Sequence, residues 1–239
     1  MSIPLAIVGC GKMGRLVEQL APEYGFDVRE KFSRSNITSL SRDSLHGASL
    51  AIEFTAPAAA SQNLPRLAAL GVNTVCGTTG WYEGLPRIRQ VIRDADTALV
   101  YGANFAVGMN LFFEIVTRAA ALFAQHPEYE AWGWEIHHSA KKDAPSGTLL
   151  ALVEEMKHAG YAQPVDTGSN RAGANPGTHE IGFDSAADTI TLRHTARSRE
   201  GFARGALKAA QWVMGKRGLH EFGEVIFAGD AKTARRSSD

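Results

Sequence analysis

Ile3-Pro4-Leu5-Ala6-Ile7-Val8-Gly9-Cys10-Gly11-Lys12-Met13-Gly14 is the stretch that decides the fold. Its first six residues are an apolar run of strand length, and Met13, Leu16, Val17 and Leu20 then recur at helical spacing. The glycines therefore sit between a strand and a helix, the context in which a GxGxxG turn reads as a dinucleotide fingerprint. In such a turn Gly9 permits the tight bend, Gly11 lets the backbone approach a pyrophosphate, and Gly14 allows the helix to pack closely on the strand. Lys12 and Met13 open the helix, where free amides and the positive end of the helix dipole face the phosphates. Without a ligand the same residues would be a plain glycine-rich turn.

The second strand is expected at Val28-Arg29-Glu30-Lys31-Phe32 and runs into Ser33-Arg34-Ser35-Asn36. No carboxylate stands at its tip to hold ribose hydroxyls, whereas a hydroxyl beside a guanidinium suits a 2′-phosphate. Ser33 and Arg34 thus favour NADPH. NADH stays open, because Glu30 reaching the ribose would reverse the preference. Further strands are expected at Ser49 to Phe54, Val72 to Cys76 and Thr97 to Tyr101, with helices up to Gly71 and around Leu85 to Arg93. This alternation predicts a parallel, doubly wound α/β sheet of the Rossmann kind. Its strand ends carry Phe54-Thr55-Ala56-Pro57, Gly77-Thr78-Thr79-Gly80 and Ala103-Asn104-Phe105, which would gather at the carboxyl edge where cofactors bind. Small and hydroxyl side chains there leave room for a nicotinamide ring, so Phe54, Thr55, Gly77, Thr79, Ala103, Asn104 and Phe105 are candidates for cofactor binding, although each loop also reads as an ordinary turn.

After Asn110 the pattern changes to a long helix through about Gln125, then to a strand from Tyr129 to His138. Alternation places Trp132, Trp134, Ile136 and His138 on one face of that strand, and Glu135 and His137 on the other. Strands at Thr178 to Phe183 and Thr189 to Ser198 suggest a mixed or antiparallel sheet, and a helix follows from Gly201 to Met214. The stretch Gln163 to Gly177, rich in Gly, Asn and Thr, reads as a loop. We therefore expect a dinucleotide-binding domain over 1–104, completed by about 216–239, and an α+β substrate-binding and oligomerisation domain over 105–215. The polar end, Ala231 to Asp239, is expected to fray.

The second informative segment is Glu135-Ile136-His137-His138-Ser139-Ala140-Lys141-Lys142-Asp143-Ala144-Pro145-Ser146-Gly147-Thr148. Pro145 suits the first turn of a helix beginning near Ser146, whose unpaired amides can take a carboxylate or phosphate. Gly147 and Thr148 leave a ligand room to approach, Lys141 and Lys142 add full charges, and His137 and His138 can exchange a proton near neutral pH. The bland alternative is a solvated basic turn before a helix capped by a serine. No metal is expected: adjacent histidines on an extended chain face opposite ways, and no further His or Cys stands at ligand spacing.

Lys plus Arg and Asp plus Glu each number 25, so the formal net charge is zero, and neither nucleic acid nor an acidic membrane is implied as a partner. Cys10 and Cys76 form no CxxC pair, no apolar run is long enough to span a bilayer, and no leader pattern is present. A cytoplasmic enzyme is the default expectation.

Together these motifs resemble the dihydrodipicolinate reductase family. The resemblance is carried by the Gly9 to Gly14 turn, Glu53-Phe54-Thr55, Gly77-Thr78-Thr79-Gly80, Ala103-Asn104-Phe105-Ala106-Val107-Gly108-Met109-Asn110 and His137-His138 through Thr148, and more weakly by Arg171-Ala172-Gly173 and His194 to Phe202. It implies an N-terminal Rossmann domain completed by C-terminal residues, and a middle domain that binds substrate and assembles a homotetramer. It further implies reduction of a cyclic, dianionic dicarboxylate by NAD(P)H with loss of water, in lysine and diaminopimelate biosynthesis. His137 matches the family's proton donor and Lys141 its cationic catalytic partner; His138, Gly147 and Thr148 match substrate contacts. Gly77, Thr79, Ala103 and Phe105 match nicotinamide-lining positions, and Ser33 and Arg34 the pair that selects the adenosine ribose. Many members have a glycine loop one residue longer with Arg where Lys12 stands, and are longer between Phe32 and Ser49 and after Met156. Two rivals are a Rossmann reductase of another small dicarboxylate or amino acid, and a non-catalytic NADPH sensor.

Overall fold

The structure, a computed structural model, describes residues 2–228. In chain order its main elements are β1 (Ile3–Val8), α1 (Lys12–Leu20), β2 (Phe26–Phe32), β3 (Leu50–Glu53), α2 (Pro57–Ala69), β4 (Asn73–Cys76), α3 (Leu85–Asp94) and β5 (Ala98–Tyr101). There follow α4 (Val107–Phe123), β6 (Glu130–His137), α5 (Gly147–His158), β7 (Val165–Arg171), β8 (Thr178–Asp184) and β9 (Thr189–Thr195). The described chain closes with α6 (Glu200–Trp212), β10 (Gly218–Glu221) and α7 (Phe222–Phe227). It divides into two compact units, one formed by the chain up to Val107 and again from Glu200 onward, the other by Gly108–Arg199.

The first unit is a six-stranded sheet in the order β10-β5-β4-β3-β1-β2, with every pairing parallel. Strands buried on both faces read as unbroken apolar runs, and β1 shows why. Leu5 and Ile7 pack with Val17 and Leu20 of α1 and with Ala203, Ala206 and Ala210 of α6, while Ala6 and Val8 pack on the opposite face with Leu67 and Val72. The chain leaves β1 to form β2 on one side and returns to form β3 on the other. That reversal is the switch point at which α/β sheets of this kind bind their ligands.

Three boundaries differ from the sequence reading. Helix α6, expected in the second domain, belongs to the first unit, because its small face of Ala203, Gly205, Ala206, Ala209 and Ala210 packs into that unit's core. Strand β7 occupies most of the stretch read as a loop; its polar sequence, Val-Asp-Thr-Gly-Ser-Asn-Arg, carries no apolar alternation, yet it pairs in parallel with β6 along its whole length. Strand β10, for which no sequence signal was seen, joins the sheet beside β5. The polar end from 231 to 239 lies outside the described residues.

The second unit is a mixed four-stranded sheet in the order β7-β6-β8-β9, parallel between β6 and β7 and antiparallel elsewhere. One face of β6 is buried at Ala131, Gly133, Glu135 and His137, with Leu149 of α5 lying against Gly133. On the other face Trp132, Trp134 and Ile136 are only half-buried, and the Trp134 indole donates to Asn170 at 2.7 Å.

The packing of α6 supplies a stability test. A Cβ at Gly205 would lie 1.7 Å from the carbonyl oxygen of Phe105, so this helix sits where only a glycine fits. Gly205→Ala should destabilise the protein by roughly 1–3 kcal/mol in urea unfolding, despite alanine's better helix propensity. An unchanged or raised unfolding midpoint would show that the contact yields easily.

Candidate functional site

In the first unit, the carboxyl ends of β1 and β3 meet at the switch point. Gly9 has φ +107°, and a Cβ there would lie 2.0 Å from the Phe54 carbonyl oxygen. Its amide donates to the Phe32 carbonyl at 2.8 Å, which draws the tips of β1, β2 and β3 together. Gly14 is equally confined, its position for a Cβ lying 1.9 Å from the Gly9 carbonyl oxygen, whereas Gly11 faces open space. Gly11 is also the N-cap of α1 and has no side chain to satisfy the first amides of the helix. A tight turn, an open glycine and an uncapped helix start together fit a pyrophosphate. Met13 packs its side chain against the apolar core, so only its backbone is available there, while Lys12 is exposed.

Ser33 to Asn36 forms a turn at the tip of β2. The Asn36 carboxamide oxygen accepts from the Ser33 amide at 2.6 Å and from its hydroxyl at 3.1 Å, and Arg34 is exposed on that ordered turn. Glu30 lies further back on the strand, where its carboxylate accepts from the Lys31 amide at 2.8 Å and stands 3.6 Å from His46.

Glu53, given no role of its own in the sequence, organises the remaining loops of this edge. Glu53 is fully buried at the end of β3, where Thr78 donates to it at 2.6 Å, the Cys76 thiol at 3.2 Å, and the Thr55 hydroxyl as well. Thr55 in turn donates its amide to the Thr78 hydroxyl at 2.8 Å. One carboxylate thus ties the Phe54-Thr55 loop to the Gly77-Thr78-Thr79 loop. Gly77 lies flat against the Phe54 ring, which meets Phe105 edge-on at 6.5 Å, and Asn104 accepts the Ala106 amide at 2.8 Å. Thr79 and Ala103 are exposed beside them.

In the second unit, α5 starts one residue later than expected. Ser146 is its N-cap, accepting the Leu149 amide at 3.2 Å, and Pro145 stands outside the helix because Ser146 is extended (φ −68°, ψ 152°). The Lys141 ammonium reaches both oxygens of Asp143 at 2.8 Å. That carboxyl is held below its usual range chiefly by Lys141, with a contribution from the Gly147 amide. Lys141, expected to face an anion, is thus paired with a carboxylate of the chain itself. Gly147 is exposed, Thr148 half-buried and Lys142 exposed; His138, just past the end of β6, is half-buried.

Beneath this loop lies a cluster of which the sequence showed only part. Glu135, fully buried, accepts through Oε1 from the Ser146 amide at 2.8 Å, from Arg171 Nη2 at 2.7 Å and from the Ser169 hydroxyl at 3.0 Å. Its Oε2 lies 3.5 Å from His137 Nδ1 and 3.4 Å from His179 Nε2. Burial pushes the Glu135 carboxyl up, but its donors outweigh burial and hold it at about 2. Burial pushes both imidazoles down, that of His179 to about 4, so His137 and His179 are neutral near pH 7; Glu135 opposes this at His137, while Lys141 and Arg171 reinforce it. Arg171 also donates to the Asp143 carbonyl, tying the loop to the carboxylate below it.

The donor atoms of Glu135, His137 and His179 lie within 4.8 Å of one another, a grouping compact enough for a cation. Arg171 already neutralises the carboxylate and Lys141 adds positive charge, so we read the cluster as a hydrogen-bonding network. Glu135 was legible as a neighbour of His137 on one strand face. His179 emerges only from pairing, and His194, quoted above only within a weaker match, joins it, since Ser169, Glu135, His179 and His194 stand in one register across β7, β6, β8 and β9.

Comparison with known proteins breaks the chain at the same point after Val107, although its C-terminal part also takes in α6, β10 and α7 of the first unit. Family models described as dihydrodipicolinate reductase, N-terminus and C-terminus, match residues 3–105 and 108–226. A 4-hydroxy-tetrahydrodipicolinate reductase of Christiangramia forsetii is 30% identical, covering 93% of this chain and 97% of its own, and one of Methanosarcina mazei is 30% identical over 94% and 99%. Among solved structures, a dipicolinate-bound dihydrodipicolinate reductase from Paenisporosarcina sp. TG-14 superposes with a TM-score of 0.72 at 21% identity, covering 92% of this chain and 98% of that one. An aspartate semialdehyde dehydrogenase II from Vibrio cholerae shares the fold more distantly, with a TM-score of 0.55 at 11% identity over 90% and 99%. With both family models matched and near-complete relatives at this identity, the chain belongs to the dihydrodipicolinate reductase family, NAD(P)H-dependent oxidoreductases of lysine and diaminopimelate biosynthesis.

Proposed function

We propose that this chain reduces 4-hydroxy-tetrahydrodipicolinate to tetrahydrodipicolinate with NADPH in preference to NADH, using His137 and Lys141 at the reacting ring. The observation that carries the reading is the carboxylate of Asp143, already paired through both oxygens with Lys141 at 2.8 Å just ahead of α5. A ring carboxylate of the substrate would take the place of Asp143 there, with Ser146, Gly147, Thr148 and His138 as its other contacts. The dipicolinate in the Paenisporosarcina relative is a dicarboxylate of the same kind. When bound, a reduced nicotinamide supplies the hydride for C4 of the ring.

This chain's residues then have two tasks. The Lys141 ammonium stabilises negative charge that develops on the ring framework, an interaction stronger in the transition state than in the ground state. His137 manages the proton: neutral before binding, it gains basicity when a dianion arrives beside it, because a nearby negative charge favours the imidazolium. The proton it takes up is then available to the ring or to the departing hydroxyl. Gly9, Gly11, Lys12, Met13 and Gly14 would hold the pyrophosphate, Ser33 and Arg34 the 2′-phosphate, and Phe54, Thr55, Gly77, Thr79, Ala103, Asn104 and Phe105 the nicotinamide.

Two further features belong to this reading. The half-buried tryptophan face of the β6 sheet supports assembly as a homotetramer, because such a surface is better covered by another copy than left to water. No described helix is long and apolar enough to cross a membrane, and we place the enzyme in the cytoplasm, with no nucleic-acid partner.

The direct assay is loss of NADPH absorbance with freshly condensed aspartate semialdehyde and pyruvate. Turnover is expected; NADPH binding with no oxidation would favour a sensor, and turnover only with an acyclic amino acid or dicarboxylate would favour another reductase. Lys141→Ala should lower kcat by about 100-fold or more while leaving NADPH affinity nearly unchanged, as loss of one transition-state contact does. Equal losses in both would count against its role. Arg34→Ala should raise KM for NADPH about tenfold with little change for NADH, in line with loss of a charge-assisted pair; a like effect on both cofactors would refute phosphate recognition.

A further inference from the structure

Glu135 is unusual in serving two sets of partners through its two oxygens. Oε1 accepts three hydrogen bonds, from the backbone that opens α5, from β7 through Ser169, and from Arg171, which also holds the Asp143 carbonyl. Oε2 has no hydrogen-bond partner and faces His137 Nδ1 and His179 Nε2, and His137 Nδ1 is itself buried and without a partner. A buried lone pair opposite a buried ring nitrogen, both otherwise unsatisfied, is costly unless a proton lies between them.

The remaining surroundings of His137 are specific. Its ring meets the His179 ring edge-on at 5.0 Å, and its Nε2 lies 3.0 Å from the position of a Cβ on Gly177, whose φ of +142° suits only glycine. The charged and titratable groups acting on it are Glu135 from its own strand, Lys141 and Asp143 from the loop, and Arg171 from β7; His179 from β8 stands against its ring, with His194 from β9 acting on His179 in turn. Glu135 is the carboxylate closest to Nδ1 in this set.

We propose that Glu135 is a positioning residue for the reaction: its Oε2 accepts the Nδ1–H of His137 and so presents Nε2 for proton exchange, while its Oε1 anchors the start of α5 and the Lys141 loop. This rests on the reading of His137 as the group that moves the proton. One carboxylate thereby fixes the imidazole and the helix start in a single geometry, as second partners commonly fix the tautomer of a functional histidine. Its negative charge also stabilises the imidazolium.

The test combines two variants with a measurement on the unaltered protein. Glu135→Gln offers an amide NH2 to His137 Nδ1 where the carboxylate offered an acceptor, favouring the wrong tautomer. It should lower kcat about 100-fold through misplacement of the imidazole. It should also move the high-pH limb of the kcat profile toward acid by about one unit or more, because a stabilising charge within a few ångströms is gone. Glu135→Asp keeps the charge at shorter reach, so kcat should fall while the limb stays near its wild-type position. A merely structural role would scale the Glu135→Gln profile down without moving the limb, and that result overturns the proposal.

Nitrogen-15 NMR of the unaltered protein with NADPH gives a readout independent of folding in the variants. The neutral His137 ring should carry its proton on Nδ1; a proton on Nε2 would contradict the assignment. Loss of activity on chelation, restored by zinc, would assign the cluster to a cation and equally overturn it. His137→Gln separates the two layers: full activity with an unchanged pH profile would remove His137 from the mechanism itself, whereas failure of the tautomer or limb test with an inactive His137→Gln would remove Glu135 alone.

Discussion

A carboxylate shut away from water cannot stand idle, and Glu135 governs the second unit for that reason. Burial alone would drive it to take up a proton, yet a guanidinium, a backbone amide and a hydroxyl on one oxygen keep it ionised down to about pH 2. The same charge reaches, through its other oxygen, the two imidazoles of His137 and His179. Removing any one of these partners would leave a buried charge or a buried donor uncompensated, and two of them, the Ser146 amide and Arg171, tie the loop before α5 to the sheet. Outside the cluster lies a second, more solvated pair, in which Lys141 holds the Asp143 carboxylate just ahead of α5. Water screens that outer pair, and Asp143 is the more exposed partner, so the pair is weak, as the proposed exchange with a substrate carboxylate requires.

The first unit follows a different constraint, the close approach of backbone to backbone. Gly9 against Phe54 and Gly14 against Gly9 leave no room for side chains, and this draws the strand tips into one edge. Glu53 then does for that edge what Glu135 does for the other unit, joining two loops through Thr55, Thr78 and Cys76. In both units a buried acid at or near the end of a strand orders loops that the hydrophobic core cannot reach. The core supplies stability without direction, and the hydrogen-bonded acids supply direction.

These two kinds of information differ in how plainly they stand in the sequence. Apolar runs and glycine spacing are local, so β1, the Gly9 to Gly14 turn, the doubly wound sheet and the start of α5 at Ser146 were legible within one or two residues. Strand β7 was not, because its stability comes from pairing with β6 and its side chains alternate only between half-buried and exposed. Helix α6 was seen as a helix but given to the wrong unit, since its alanine face does not declare which core it enters. In the second unit, His137 and Lys141 stand out in the sequence by type and spacing. Arg171, His179 and His194 lie 36 to 59 positions from Glu135 in the chain, and only the register of four strands brings them into one cluster.

The proposed chemistry needs the neutral, buried imidazole of His137 to become charged when a dianion binds beside Lys141. Calorimetric titration of dipicolinate into the NADPH complex at pH 7, repeated in buffers of different ionisation enthalpy, counts the protons exchanged on binding. Net uptake of a substantial fraction of a proton, absent in His137→Gln, is the predicted result; binding with no proton exchange, or with proton release, would contradict it.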